Sequence, residues 1–261
     1  LFRSRDNRGI YNFTRNSSYS ATTNIGDNTD ANVADITKPI IIGDNYGVYA
    51  NSVVNNRINF YDGIIKSKGT QVDPFVTTTP DGYITENGVD SVDSSYKTTY
   101  LVTQQPFIQV GNDPTNVFSS LQQAITAAGT NGSMKLVANG LNTSTATVTA
   151  TQDINLDLNG YTMTTTKKII NNGTLTINND GTINTINNAT TFDNYGTLTI
   201  NDGNYYVDKG KFILIETGGT FNLNGGSITG TSNTIIDNGG SFNMTGGTID
   251  YTGSSGTIPI S

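Results

Sequence analysis

The sequence predicts an all-β protein, most of which winds as a parallel β-helix with about 21–23 residues per turn. Three observations lead to this fold class. One phrase recurs four times in the second half of the chain, apolar and polar residues alternate within each copy, and charged residues make up only 13% of a chain rich in Gly, Asn and Thr. Such a composition favours turns and exposed strand faces over helices.

The recurring phrase first reads NNGTLTINNDGTI at residues 171–183 and returns in varied form at 194–206, 217–229 and 238–250. The copies align on Gly173, Gly196, Gly219 and Gly240, at steps of 23, 23 and 21 residues. Each glycine precedes two apolar residues that are two positions apart: Leu175/Ile177, Leu198/Ile200, Phe221/Leu223 and Phe242/Met244. Residues two apart point to the same face of a strand. The phrase therefore predicts a strand with an apolar inner face and a Thr/Asn outer face.

Each predicted turn contains two or three short strands. The second strand carries Ile183, Tyr205/Val207, Ile228 and Ile249, and the third carries Ile169/Ile170, Phe192, Ile213/Ile215 and Ile235/Ile236. One turn cannot bury its own inner face, but stacked turns bury it continuously. Each turn should advance along the axis by one strand spacing, about 4.8 Å.

A polar column accompanies the apolar ones at the corner before each phrase. It consists of Asn171, Asn194, Thr217 and Asn238, again at steps of 23, 23 and 21 residues. Asn tolerates the left-handed backbone of a tight turn, and stacked Asn side chains can bond amide to amide. We expect these four residues to form a structural ladder along the axis.

A single helix is predicted ahead of the repeats, over about 115–128. Pro114 or Thr115 can start it and Gly129 ends it. Its apolar stripe consists of Val117, Leu121, Ala124, Ile125 and Ala128. Such a helix is expected to cap the open front of the solenoid core.

The first hundred residues are less regular, and the predicted division is an irregular β module over 1–105 followed by the β-helix over 106–261. The segment 45–69 reads as another turn, and RGIYNF at 8–13 resembles YGVYAN at 46–51, 38 residues later. The module is therefore expected to be the end of an earlier β-helix section. Residues 70–105 interrupt the phrase and read as a hairpin-like insertion or connector, with a turn expected at Asp81-Gly82.

The segments FSSLQQAI (118–125), INLDLNGYTM (154–163) and the NNGTLTI phrases resemble the right-handed parallel β-helix superfamily, which includes pectate lyases and phage tailspikes. More narrowly, they resemble the Asn/Thr/Gly-rich β-helical regions of large bacterial surface proteins. The resemblance covers residues 113–261 and implies a right-handed coil at the cell surface or outside the cell. The function it favours is a non-enzymatic structural or adhesive one, as a stalk, fibre subunit or surface-exposed repeat region. The alternative is a polysaccharide-binding or polysaccharide-degrading β-helix, such as a tailspike or lyase.

The composition excludes several kinds of catalytic site, metal site and partner. The chain has neither Cys nor His, which excludes a disulfide, a Cys/His metal site, a Cys nucleophile and a His general base. Its formal net charge of −7 argues against nucleic acid and anionic membranes as partners. Apolar runs of the length needed to insert into a membrane are missing from the sequence.

One column of acids is the candidate reactive or metal-binding site. Asp193, Glu216 and Asp237 each precede the corner column, at steps of 23 and 21 residues. Stacked in register, neighbours would lie about 5 Å apart. Three interpretations remain open: solvated carboxylates, a Ca²⁺ site, or the catalytic pair of a polysaccharide-degrading enzyme. No other cofactor is expected.

Two further expectations concern partners. Tyr195, Tyr205 and Tyr206 lie in one turn and could contact glycans through their rings. The chain starts without Met, and the last phrase lacks an evident cap. The sequence is therefore expected to belong to something longer, through neighbouring repeats or through end-to-end self-association.

Overall fold

The computed structural model describes residues 2–3, 8–12, 22–26, 39–50, 57–61, 63–72, 77–79, 83–186, 190–231, 234–253 and 260. The protein is all-β, with stacked parallel strands that form a β-solenoid of about eight turns and one short helix among the described residues. The predicted fold class is thus confirmed. The chain divides into two compact units, residues 1–103 and 104–261.

The first unit contains eleven described strands. They are Phe2–Arg3 (β1), Arg8–Asn12 (β2), Thr22–Ile25 (β3), Ile40–Gly43 (β4), Tyr46–Ala50 (β5), Arg57–Phe60 (β6), Ile64–Ser67 (β7), Thr70–Val72 (β8), Thr77–Thr78 (β9), Tyr83–Val89 (β10) and Lys97–Thr103 (β11). Three parallel sheets run in the orders β2-β5-β8, β3-β6-β9 and β1-β4-β7. This is the strand pattern of a solenoid section, as the sequence predicted for 45–69.

The two similar segments of the first unit, 38 residues apart, pair with each other as strands. Strand β2 pairs with β5 in parallel, with Ile10 opposite Val48. The inward residues Val48, Ile58 and Phe60 are fully buried in one apolar cluster. Matching apolar positions in successive turns therefore specify the pairing here, as they do in the second unit.

An antiparallel hairpin follows these turns. Strands β10 and β11 pair antiparallel, and β11 also pairs antiparallel with β7. The hairpin turn spans residues 90–96, where the Asp90 backbone N–H donates to the Tyr96 carbonyl at 2.9 Å. The Lys66 ammonium lies 2.5 Å from the Asp90 carboxylate and ties this turn to β7. The turn expected at Asp81-Gly82 lies outside the described residues.

The second unit begins with a short antiparallel segment and the helix. Its first elements are Ile108–Val110 (β12), Val117–Phe118 (β13), the helix Leu121–Ala128 (α1), Asn131–Leu136 (β14), Gly140–Asn142 (β15) and Ala146–Val148 (β16). Strand β12 pairs antiparallel with both β13 and β14.

The remaining strands repeat in threes. They are Asp153–Asp157 (β17), Thr162–Thr165 (β18), Ile169–Asn171 (β19), Thr174–Asn178 (β20), Thr182–Thr185 (β21), Thr190–Asn194 (β22), Thr197–Ile200 (β23), Asn204–Val207 (β24), Lys211–Ile215 (β25), Thr220–Leu223 (β26), Ser227–Gly230 (β27), Ile236–Asn238 (β28), Ser241–Met244 (β29) and Thr248–Tyr251 (β30). From β14 onward they form three parallel sheets: sheet one (β14-β17-β20-β23-β26-β29), sheet two (β15-β18-β21-β24-β27-β30) and sheet three (β16-β19-β22-β25-β28).

The helix starts later than predicted. It begins at Leu121, with the Ser120 hydroxyl accepting from the Gln123 backbone N–H at 3.3 Å. The residues before it take other structures: the Asp113 carboxylate accepts from the Thr115 backbone N–H in a local turn, and Val117 pairs with β12. A β-branched residue with a strand partner gains more from pairing than from helix extension.

The helix nevertheless covers the core as expected. Leu121, Ala124 and Ile125 are buried in the same cluster as the inner residues of the solenoid. Two glutamines tie the helix to the first turn: the Gln122 side chain accepts from the Thr147 N–H at 2.7 Å, and Gln152 donates to the Ile125 carbonyl at 3.1 Å.

The predicted core columns are confirmed in all three sheets. Leu175, Leu198, Phe221 and Phe242 stand opposite one another in sheet one; Ile183, Tyr205, Ile228 and Ile249 do so in sheet two; and Ile169, Phe192, Ile213 and Ile236 do so in sheet three. Phe212 is also fully buried, and its ring contacts those of Phe192 and Tyr205 edge to face at 5.3 Å between centroids. The turns are so close at the corner that a Cβ on Gly196 would lie 2.0 Å from the Gly173 carbonyl oxygen.

Candidate functional surfaces

The three acids predicted as one column lie in two. Asp193 stands opposite Leu214, which in turn stands opposite Asp237. Glu216 lies one corner further along: Ile215 is opposite Asn194, and the Glu216 N–H donates to the Asn194 carbonyl at 2.9 Å. Glu216 is therefore the neighbour of Tyr195, not of Asp193, in the stack. The predicted triple column is wrong, because an apolar residue separates its two aspartates.

Both aspartates of that column are held by lysines. The Lys168 ammonium lies 2.5 Å from the Asp193 carboxylate, and Lys211 forms the same kind of ion pair with Asp237. The hydrogen bond to Asp193 raises the pKa of Lys168, so this lysine is charged at neutral pH. Throughout the described ranges, no three His, Cys, Asp or Glu side chains come together in a group that could hold a metal ion.

Next to the Lys168–Asp193 pair lies an exposed aromatic side chain, Tyr195. Tyr195 is 49% exposed and sits on the corner between β22 and β23. The charge of Glu216 and partial desolvation raise the pKa of Tyr195. We call Lys168, Asp193, Tyr195 and Glu216 the corner cluster.

The other two tyrosines of that turn point in opposite directions. Tyr205 is buried, its hydroxyl donates to the Asp202 carbonyl at 2.8 Å, and burial raises its pKa. It is a core residue and cannot contact a glycan. Tyr206 is 40% exposed on the outer face of sheet two.

The predicted corner ladder is confirmed for Asn171 and Asn194. Asn171 and Asn194 are both fully buried, and the Asn171 amide donates to Asn194 Oδ1 at 2.8 Å. Asn194 in turn donates to the Thr220 carbonyl of the next turn at 2.8 Å. These bonds tie the corner of one turn to the strand of the next.

The ladder does not continue to Thr217. The residue opposite Asn194 is Ile215, and Asn238 follows opposite Ile215. The corner between β25 and β26 spans residues 216–219, whereas the equivalent corner of the previous turn spans only 195–196. The two additional residues lie within the corner, so counting back from the glycine assigns the wrong partner.

A second, buried polar corner lies between sheets two and three. Asn142 donates to the Thr165 hydroxyl at 3.0 Å, and the hydroxyls of Thr185 and Thr191 lie 2.7 Å apart. All four residues are buried. They interrupt otherwise apolar inner faces at the point where the chain turns.

An exposed amide ladder on sheet one went unpredicted. Asn201 donates to Asn178 Oδ1 at 2.8 Å, Asn224 donates to Asn201 Oδ1 at 2.9 Å, and the Thr245 hydroxyl donates to Asn224 Oδ1 at 2.9 Å. Asn155 accepts from Asn178 at 3.3 Å at the other end. The signal is visible in the sequence, since Asn closes the strand motif TLTIN in two copies and TFNLN in the third.

The rest of this outer face is uncharged over four turns. One column contains Thr174, Thr197, Thr220 and Ser241, and the other contains Thr176, Thr199, Asn222 and Asn243. The face is a regular array of hydroxyl and amide groups fixed by the backbone register. Such groups hydrogen-bond neutral polar partners or water.

The last described turn is less covered than the others. Met244 is 46% exposed, although its counterparts Ile177, Ile200 and Leu223 are fully buried. The inward side chains of Phe242 and Ile249 are only partly buried. Among the described strands, β29 and β30 end sheets one and two.

In the part of the chain that the structure describes, none of the helical segments is long and apolar enough to cross a membrane. The chain matches no protein-family model, no curated protein and no solved structure.

Proposed function

We propose that this protein is a non-enzymatic structural or adhesive protein of the bacterial cell surface, in which the solenoid serves as a stiff segment of a stalk, fibre or repeat region. The observation that carries the proposal is the continuous axial bonding of the second unit. Three parallel sheets connect each turn to the next, and amide ladders join the same turns inside and outside. Separating two turns requires many of these bonds to break together.

The less covered last described turn supports a role within a larger array. In sheet one, the six parallel strands from β14 to β29 span five strand spacings, about 24 Å. A stalk requires many more turns than this. Neighbouring repeats or end-to-end association would supply them, in keeping with the partly exposed Met244 of the last described turn.

The alternative, a polysaccharide-degrading β-helix, has less support. Of its candidate residues Asp193, Glu216 and Asp237, the two aspartates are engaged by lysines and separated by Leu214, and Glu216 lies in a different column. Glycoside hydrolysis uses two carboxylates that flank the scissile bond, one of which must donate a proton. Two carboxylates that each bind a lysine and lie on either side of Leu214 do not form such a pair.

An activity screen separates the two functions. The full chain is incubated with neutral and acidic polysaccharides, and reducing ends and unsaturated products are measured over time. We expect no release above the buffer blank, from the parent or from Asp193→Asn. Release by the parent that Asp193→Asn abolishes would establish the enzymatic alternative and refute the structural one.

Assembly is tested with a matched pair of lysine substitutions. A charged side chain on an edge strand opposes addition of another strand. The parent should form larger species at rising concentration, measured by sedimentation velocity and negative-stain microscopy, and Met244→Lys on β29 should suppress them. Thr229→Lys, on the outer face of the inner strand β27, adds the same charge and should behave like the parent. Equal assembly in both variants would exclude this end as the contact.

A further inference from the structure

The corner cluster combines features that the structural role does not require. Tyr195 presents an aromatic ring to solvent at a corner where the turn before it has Asn172. Glu216 lies beside it in the next turn, and the Lys168–Asp193 pair flanks it on sheet three. A corner with a purely structural role needs only a residue that permits the turn, such as Asn or Gly.

The polar groups of the cluster leave capacity for a ligand. Glu216 lies close enough to Tyr195 for its charge to raise the pKa of the Tyr195 hydroxyl. A carboxylate has about four lone-pair sites, so Glu216 can accept hydrogen bonds. Lys168 has three N–H donors and its side chain is 44% exposed, so it can donate beyond its bond to Asp193.

The neighbouring surface has matching chemistry. The corner leads directly into Thr197, the first residue of β23, whose outward column continues through Thr174 and Thr220. These hydroxyls both donate and accept. A ligand that stacks on Tyr195 would therefore meet acceptors, an ammonium donor and a row of hydroxyls at its rim.

We propose that the corner cluster is a binding site for a neutral pyranose unit of a polysaccharide. The apolar C–H face of the sugar packs on the ring of Tyr195, while its hydroxyls donate to Glu216 and accept from Lys168. This inference rests on the adhesive part of the proposed function and specifies its ligand class. The choice of a neutral sugar follows from charge: two carboxylates face one ammonium here, on a chain of net charge −7. An acidic glycan would be repelled.

The test is affinity electrophoresis of the full chain through gels containing dextran, glucomannan, xyloglucan, polygalacturonate or alginate. At least one neutral polysaccharide should retard the parent, and the acidic ones should not. Tyr195→Ala should weaken the retardation at least about tenfold, since an aromatic anchor is lost. Tyr195→Phe keeps the ring and should remain close to the parent, whereas Glu216→Gln should bind several-fold more weakly because it loses the charged acceptor.

Tyr206→Ala is the matched control, because Tyr206 is similarly exposed but lies on sheet two, outside the cluster. It should bind like the parent, and circular dichroism should show that all variants fold alike. The site is overturned if no neutral polysaccharide retards the parent, if only acidic ones do, or if Tyr195→Ala and Tyr206→Ala have equal effects. Failure here leaves the activity and assembly results intact, so the structural proposal stands or falls separately.

Discussion

The buried and exposed amide ladders allow a direct comparison of two asparagines seven residues apart. Asn194 is fully buried: it accepts from Asn171 at 2.8 Å and donates to the carbonyls of Gly196 at 3.1 Å and Thr220 at 2.8 Å. Asn201 also makes two ladder bonds, at 2.8 and 2.9 Å, but its side chain is in water. We consider the replacement of Asn194 and of Asn201 by Ala.

The expected losses of unfolding free energy differ because water can replace the hydrogen bonds at the exposed Asn201 but not at the buried Asn194. Asn194→Ala removes three hydrogen bonds in a buried corner, so the carbonyls of Gly196 and Thr220 and the Asn171 amide each lose one of their bonds. At about 1 kcal/mol for each bond, plus a further cost for the buried groups that lose a bond, the loss is about 3–5 kcal/mol. Asn201→Ala also removes two bonds, but water replaces them, so its loss should stay below about 1 kcal/mol.

The assay is equilibrium unfolding in urea, followed by circular dichroism, with the free energy of unfolding compared between parent and variants. Asn194→Asp serves as a further control, because it keeps the shape of the side chain and replaces the donor with a buried charge. It should destabilise the protein more than Ala does at neutral pH. Equal losses for Asn194→Ala and Asn201→Ala would refute the reasoning, since burial would then not decide the value of a ladder bond.

Three other predictions follow from the same structure. Gly196→Ala should cost at least about 2 kcal/mol in urea unfolding, because its Cβ would meet the carbonyl oxygen of Gly173 at 2.0 Å and the corner backbone would have to move; no measurable loss would mean that the corner is looser than described. Phe221 is fully buried, so Phe221→Ala should lower the free energy of unfolding by about 3–5 kcal/mol, measured in the same way. Phe242 is only partly buried, so Phe242→Ala should lower it clearly less. The reverse order would contradict the view that the last described turn is the less covered one. The hydrogen bond from the Lys66 side chain keeps the pKa of Asp90 below its ordinary 3.8, so the ion pair stabilises the fold above that pH and this stabilisation is lost as the pH falls through the folded-state pKa. In thermal melts, the melting temperature of Asp90→Asn should therefore fall less steeply with acid than that of the parent. Identical pH profiles would exclude the contribution.

The sequence by itself determined which residues of a strand face inward and how many residues make a turn. Alternation with period two, as in Leu175 and Ile177, decides the face of a strand without reference to any partner. The repeat spacing then brought like residues together in all three sheets, because parallel turns stack with equivalent positions opposite one another. The same argument found the pairing of Ile10 with Val48 in the first unit.

The tertiary structure alone decided what happens at the corners and at the front of the solenoid. A corner can take up two additional residues without disturbing the strands on either side, so the sequence did not reveal that Ile215, and not Thr217, stands opposite Asn194. That shift moved Glu216 away from Asp193 and beside Tyr195, which created the corner cluster. The helix start depended in the same way on a distant partner, because Val117 pairs with β12. Local pattern specifies orientation within a strand, whereas contacts between turns depend on register, and register is fixed only when the strands pair.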